Sequence, residues 1–193
     1  YKKMEKLTKE QEIIKLIFKD VLSQYNSRNI SKIIKISHAG AFKILKKLEE
    51  RSIVNPTRIG KAVIYKLNIE NPVTYREVEM VLTLEAQNYI RWIEEFKDME
   101  NKAKFLVLFG SIIENEKTAR DIDLLVVADE DKFKEIRRIV EEKNNILAKK
   151  IHLLLQKPND FKKDIASKNK AIIEIIKKGI ILFGQEEARK AII

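Results

Sequence analysis

The chain of 193 residues has no cysteine, which excludes disulfides and thiolate metal sites and makes a reducing, intracellular setting the expectation. No apolar run approaches the roughly 20 residues of a membrane-spanning helix. The basic start also lacks the apolar core of a signal peptide. A soluble, cytoplasmic protein without a membrane partner is therefore expected. Internal repeats and low-complexity tracts are missing as well. Glycine and proline are scarce, five and three residues, and beside abundant Ile, Lys and Glu this bias resembles that of proteins from heat-loving microbes, a bias that an AT-rich genome also produces.

Acidic charge is what the first third lacks. Residues 1–70 hold 16 Lys and Arg against 7 Asp and Glu, a balance of +9, and residues 71–193 hold 23 against 22, a balance of +1, which together give the net +10. The positive excess thus belongs to one segment, and a polyanion is the partner expected for it.

Within that segment, residues 9–24 carry apolar positions Ile13, Ile14, Leu16, Ile17, Val21 and Leu22 at helical spacing. A polar break follows, after which Asn29 or Ser31 is placed to cap a short helix through Ile36. Ser37 then caps a third helix, His38 to Arg51, whose stripe Ala41, Ile44, Leu45 and Leu48 faces a core and leaves Lys43, Lys46 and Lys47 to solvent. Ile53 to Thr57, a tip at Arg58 to Lys61 and Ala62 to Leu67 read as a β-hairpin. Three helices and a hairpin in this order resemble the winged helix-turn-helix family over residues 9–68. The resemblance implies double-stranded DNA as partner, with Ser37, His38, Lys43, Lys46 and Lys47 on the recognition helix and Arg58 and Lys61 on the wing. His38 and Lys43 are the side chains placed to meet base edges, and the other contacts go to phosphate.

Asn71-Pro72 opens a new segment. From Tyr75 to Met99 a wide apolar stripe including Val78, Val81, Leu82, Trp92 and Phe96 predicts one long helix or two, with Trp92 in a core. Because winged-helix proteins commonly bind DNA as two-fold dimers, a homodimer joined through this connecting helix is expected.

The most informative stretch is Phe105-Leu-Val-Leu-Phe-Gly-Ser111, followed after nine residues by Asp121-Ile-Asp-Leu-Leu-Val-Val127. It reads as strand, tight turn, helix start and a second strand whose alternation sets Asp121 and Asp123 on one face. Adjacent carboxylates repel, and a divalent cation such as Mg²⁺ relieves that repulsion. Gly110 allows a close backbone approach, and Ser111 offers a hydroxyl and helix-start N–H groups to a phosphate.

These residues resemble the signature of the nucleotidyltransferase superfamily related to DNA polymerase beta, most closely its minimal archaeal and bacterial branch, and suggest an archaeal source. The resemblance covers Lys104 to Gly184. It implies that Gly110 and Ser111 hold a nucleoside triphosphate and that Asp121 and Asp123 are the catalytic, metal-binding acids, with Mg²⁺ as cofactor. Lys117 or Arg120 would then neutralise a departing pyrophosphate. The family pattern also expects a third acid on a later strand. The candidate strand, Lys150 to Gln156, has none; its His152 reads as a packed or partly exposed ring, and Glu130, Asp131 and Asp160 are the acids that loops could bring near. Phe133 to Asn144, Phe161 to Ser167 behind a Pro158-Asn-Asp160 cap, Asn169 to Lys178 and Gln185 to Ile192 complete the helices, with a strand at Gly179 to Phe183.

The expected fold class is α+β: a winged helix-turn-helix domain (1–70), a connecting helix (71–100) and a nucleotidyltransferase-like domain (101–193), a small mixed sheet with helices on one side. The expected function is a DNA-binding transcriptional regulator with a nucleotide-binding domain. The alternative is an active Mg²⁺-dependent nucleotidyltransferase acting on a protein or RNA, with the winged domain for targeting or autoregulation.

Overall fold

The computed structural model describes residues 6–193, so the first five residues of the expected 1–70 domain lie outside the described residues. The chain falls into two compact units that divide after Leu84.

The first unit is built from α1 (Lys9–Lys19), α2 (Ser27–Ile34), α3 (His38–Glu50), the hairpin β1 (Val54–Ile59) and β2 (Ala62–Leu67), and the start of α4 (Pro72–Gln87). Three helices and an antiparallel hairpin make a winged helix-turn-helix. Thr8 and Gln11 form a reciprocal capping box at the start of α1, satisfying N–H groups that have no intrahelical acceptor. The helix stops at Lys19 rather than continuing to residue 24. Asp20 ends it by accepting from the hydroxyls of Ser23 (2.9 Å) and Tyr25 (2.5 Å), which turns the chain and leaves Val21 and Leu22 exposed. Tyr25 then bridges to Tyr65 of the hairpin, whose N–H donates to its carbonyl at 2.8 Å.

The cap of α2 is Asn26, not Asn29 or Ser31. Its side chain accepts from the N–H groups of Arg28 and Asn29, while Asn29 reaches back to accept from the Asn26 N–H at 2.7 Å. Ser31 lies inside the helix, donating to the Arg28 carbonyl at 2.8 Å. Ser37 caps α3 as expected, accepting from the Gly40 N–H at 3.0 Å, and Ala41, Leu45 and Leu48 are fully buried. The hairpin pairs Ile59 with Ala62, so its tip is only Gly60-Lys61, with Gly60 at φ +59°. Arg58 and Ile59 belong to the strand.

The apolar stripe of the connecting segment forms two helices, α4 and α5 (Ile90–Glu95), then a 3₁₀ turn at Lys97–Met99. Trp92, Phe96 and Met99 are buried in the core of the second unit.

That unit continues with β3 (Phe105–Phe109), α6 (Ser111–Glu114), β4 (Asp121–Val127), α7 (Phe133–Ile146), β5 (Lys150–Gln156), α8 (Pro158–Ala166), α9 (Lys170–Lys178), β6 (Ile180–Phe183) and α10 (Gln185–Ile192). Pro158 starts α8 instead of preceding it, a first-turn position where its missing N–H costs nothing. The four strands form one mixed sheet in the order β5-β4-β3-β6; β4 and β5 are parallel and the other pairs antiparallel.

Helices cover both faces of this sheet, not one. Leu106, Leu108, Ile122, Leu124, Val126 and Ile151 pack with Trp92 of α5, with Phe96 just after it, and with Ile136 and Ile139 of α7. The alternate residues Phe105, Val107, Leu125 and Val127 are equally buried, and Phe105 meets Phe161 of α8 edge to face at 5.0 Å. A strand buried on both faces reads as a continuous apolar run, and Phe105–Phe109 is one.

Candidate functional site

The paired acids stand at the N-terminal end of β4, short of the apolar residues Leu125 and Val127 that fill the same face. Phe109 at the C-terminal end of β3 pairs with Asp123, which brings the next residue, Gly110, against the acids. Gly110 has φ +77° and ψ −158°, backbone that is essentially glycine-only. A Cβ built there would lie 2.2 Å from Oδ2 of Asp123. The bend and the carboxylate are thus in van der Waals contact, and no side chain fits between them. Ser111 is exposed and begins α6, a single turn closed by the Asn115 N–H to the Ser111 carbonyl at 3.0 Å.

His152 completes the group. Parallel pairing sets it beside Asp123, and its Nδ1 is 3.5 Å from Oδ2 of Asp121 and 3.5 Å from Oδ1 of Asp123. Ligand atoms of Asp121, Asp123 and His152 all lie within 4.8 Å of one another. The ring is 63% exposed, which leaves the exposed rather than the packed of the two expected settings. Among the described residues no lysine or arginine ion-pairs with either acid. Lys150, opposite Asp121 in the register, sends its ammonium to the Asn144 carbonyl at 2.7 Å. Partial burial raises the pKa of Asp123, and the Asp121 charge adds to the rise, while His152 opposes it.

Two hard carboxylate oxygens, an imidazole nitrogen and a glycine gap form a donor set that fits a divalent cation. Such an ion would be held by Asp121 and Asp123, with Gly110 and Ser111 beside it.

The other acids proposed for the site do not approach it. Glu130 and Asp131 follow Val127, at the opposite end of β4 from Asp121, and Glu130 pairs with Lys157. Asp160, after Gln156 at that same far end, pairs with Lys163 at 3.9 Å. Lys117 and Arg120 are exposed in the segment leading to β4.

In the first unit, α2, α3 and β2 line a groove containing Arg28, His38, Phe42, Lys61 and Tyr65. His38 is held there by Ser27, Oγ to Nε2 at 2.8 Å. Lys43 is exposed on α3 and Lys61 at the wing tip. Lys46 pairs with Glu49 at 2.8 Å and Lys47 with Glu10 of α1 at 2.8 Å. Arg58 folds back toward the Gly60 carbonyl at 3.4 Å. Sequence reasoning did not single out Phe42, 46% exposed, because a lone phenylalanine outside the buried stripe carries no recognition signal. It missed Arg28 because the start of α2 was misplaced.

Residues 92–188, 97 of the 193, match the family model described as polymerase beta, nucleotidyltransferase. Solved structures similar to this chain include the adhesin competence repressor AdcR of Streptococcus pyogenes, at 11% identity over 50% of this chain and 69% of that one, with a TM-score of 0.38. A cysteine-to-serine variant of ZitR from Lactococcus lactis aligns at 16% identity over 74% of this chain and 81% of its own, TM-score 0.37. Lactococcus lactis ZitR, described as a zinc-responsive MarR family member, aligns at 25% identity over 51% and 69%, TM-score 0.34. No curated protein matches the chain. With the family match spanning half the chain and the Gly-Ser bend meeting the two strand acids inside it, this chain belongs to the polymerase beta nucleotidyltransferase family.

Proposed function

We propose that this protein is a DNA-binding transcriptional regulator whose second unit binds a nucleoside triphosphate together with a divalent cation. The observation that carries the reading is the contact of the Gly110 bend with Asp123, beside Asp121 and with no lysine or arginine paired to either acid among the described residues. In this reading Asp121 and Asp123 hold the cation, for which Mg²⁺ is the expectation from the paired carboxylates. Gly110 and Ser111 take the phosphates, and the cation neutralises phosphate charge and fixes the triphosphate. Ser37, His38, Lys43, Lys46, Lys47, Arg58 and Lys61 meet duplex DNA, with α3 in the major groove and the wing on the backbone. The working division is a DNA-binding domain over 1–70, a connecting segment over 71–100 that joins two copies in a cytoplasmic homodimer, and a nucleotidyltransferase domain over 101–193. Val73 and Met80, seven residues apart on α4 and both exposed, are the apolar residues that α4 offers to a second copy.

Calorimetric titration with each nucleoside triphosphate, without metal and with Mg²⁺ or Mn²⁺, tests the nucleotide half. Heat of binding is expected for wild type and its loss in Asp121→Asn with Asp123→Asn; a silent wild type, or unchanged affinity in the double variant, sinks it. Lys43→Glu with Lys47→Glu is expected to lower duplex affinity, and intact affinity would remove α3 as the recognition helix.

A second reading, active nucleotidyl transfer to a protein or RNA, is favoured by one feature: His152 supplies a third polar group where the family pattern expects an acid. It predicts transfer of label from α-labelled nucleotide, abolished by Asp123→Asn.

A further inference from the structure

We propose that His152 is itself a metal ligand in place of the third acid, so that the centre of Asp121, Asp123 and His152 selects a first-row transition ion such as manganese or cobalt over magnesium. This rests on the reading of Asp121 and Asp123 as cation ligands and goes further by naming the cation class and its nitrogen donor.

The argument starts from the strand register. Asp123 and His152 are paired neighbours on adjacent parallel strands, about 4.8 Å apart across the sheet, with side chains on the same face. Backbone pairing therefore fixes the ring beside the carboxylates. The distances then separate two roles for it. A histidine that simply hydrogen-bonds a carboxylate sits at about 2.7–3.0 Å from one oxygen. His152 Nδ1 instead stands 3.5 Å from an oxygen of each acid, at the outer limit of a hydrogen bond and equally far from both. Two ligands bound at about 2.1 Å to one ion stand about 3.0–3.4 Å apart, so this spacing is close to that of donors sharing an ion.

Chemistry sets the selectivity. Magnesium takes oxygen ligands and keeps its waters, whereas an imidazole nitrogen suits later first-row ions and raises affinity along the series from manganese upward. Replacing an expected carboxylate by imidazole also removes one negative charge, which weakens the hold on a hard ion more than on one that bonds nitrogen. With the ring 63% exposed, ligation costs no desolvation of a buried group, and substitutions at His152 leave the core intact.

Equilibrium binding of Mg²⁺, Mn²⁺ and Co²⁺ to the full chain, each with and without ATP, decides the matter, with nitrogen coupling in the Mn²⁺ paramagnetic resonance spectrum and the Co²⁺ visible spectrum as direct reports of the ligand. Wild type is expected to prefer Co²⁺ and Mn²⁺ and to show one coordinated nitrogen. His152→Gln should lower Co²⁺ affinity at least about tenfold, as ligand-shell losses do, with little change for Mg²⁺. His152→Asp should invert the preference toward Mg²⁺. A wild-type spectrum without nitrogen coupling, or Co²⁺ affinity unchanged in His152→Gln, overturns the proposal while leaving the functional reading standing. Metal binding that survives Asp121→Asn with Asp123→Asn overturns both.

Discussion

Gly110 is the residue on which the site depends most closely. Any side chain there meets Asp123 Oδ2, 2.2 Å from the Cβ position, and must adopt φ +77°. Gly110→Ala is therefore expected to cost about 1–3 kcal/mol of stability and to displace the Asp123 carboxylate, seen as a lower denaturant midpoint together with weakened metal binding. Retained stability and metal affinity would show the bend to be incidental. Asp123 carries the opposite kind of cost. Its pKa is raised by partial burial and by Asp121, so the folded protein holds that proton more tightly than the unfolded chain does. The fold consequently loses stability as pH rises from the ordinary carboxylate range through the raised value. Asp123→Asn removes that loss and should raise stability at pH 7, with the gain shrinking as pH falls and vanishing at about pH 3, where both states are protonated. Thermal melts of the two proteins across pH 3–8, without metal, check the crossing. A variant that lacks the metal ligand yet melts higher is the signature of a group kept for binding rather than for folding.

At the scale of elements, legibility followed the physical source of each signal. Strands β3 and β4 were plain because continuous apolar runs bounded by a glycine and by two acids have few other homes. Gly184, at φ +71° with a Cβ that would lie 1.9 Å from the Lys104 carbonyl, marked the end of β6 for the same reason. What misled were signals that compete locally. Asn26, Asn29 and Ser31 all suit a cap, and a string of residues cannot tell the cap from its capping-box partner three positions on. The coordinates assign Asn26 as cap and Asn29 as partner. Since α2 has only 8 residues, its first turn matters: Asn26→Ala should destabilise the first unit by about 1 kcal/mol, whereas Ser31→Ala, away from the cap, should cost less. Denaturant unfolding of the two variants separates them, and equal effects would contradict the assignment. His152 was legible as a ring on the candidate strand but not as a neighbour of both acids. A single histidine on a strand usually packs, and only the pairing of β5 with β4, a contact between segments about thirty residues apart, puts it beside the acids. Register is a long-range property, and no local pattern contains it.

For the molecule as a whole, the charge division decides which partner goes where. With +9 in residues 1–70 and +1 in the remainder, the proposed DNA binding should draw nearly all its electrostatic attraction from the first segment and should weaken steeply with salt. Lys43→Glu with Lys61→Glu removes two cations with no ion pair among the described residues, so the slope of log affinity against log salt should become shallower by about 2. Charge reversals on α9, such as Lys170→Glu, should leave it unchanged. Regulation demands something stronger than two ligands on one chain. If nucleotide and DNA report to each other, thermodynamic linkage requires that the factor by which metal–nucleotide changes DNA affinity equal the factor by which DNA changes nucleotide affinity, typically about 5–150-fold. Duplex titrations with and without saturating ATP and Mn²⁺, and the reciprocal nucleotide titrations with and without duplex, measure both factors independently. Matching factors well away from one establish a sensor. A factor of one in both directions means that the two units work separately, and the regulatory reading then gives way to a nucleotidyltransferase that DNA binding merely localises.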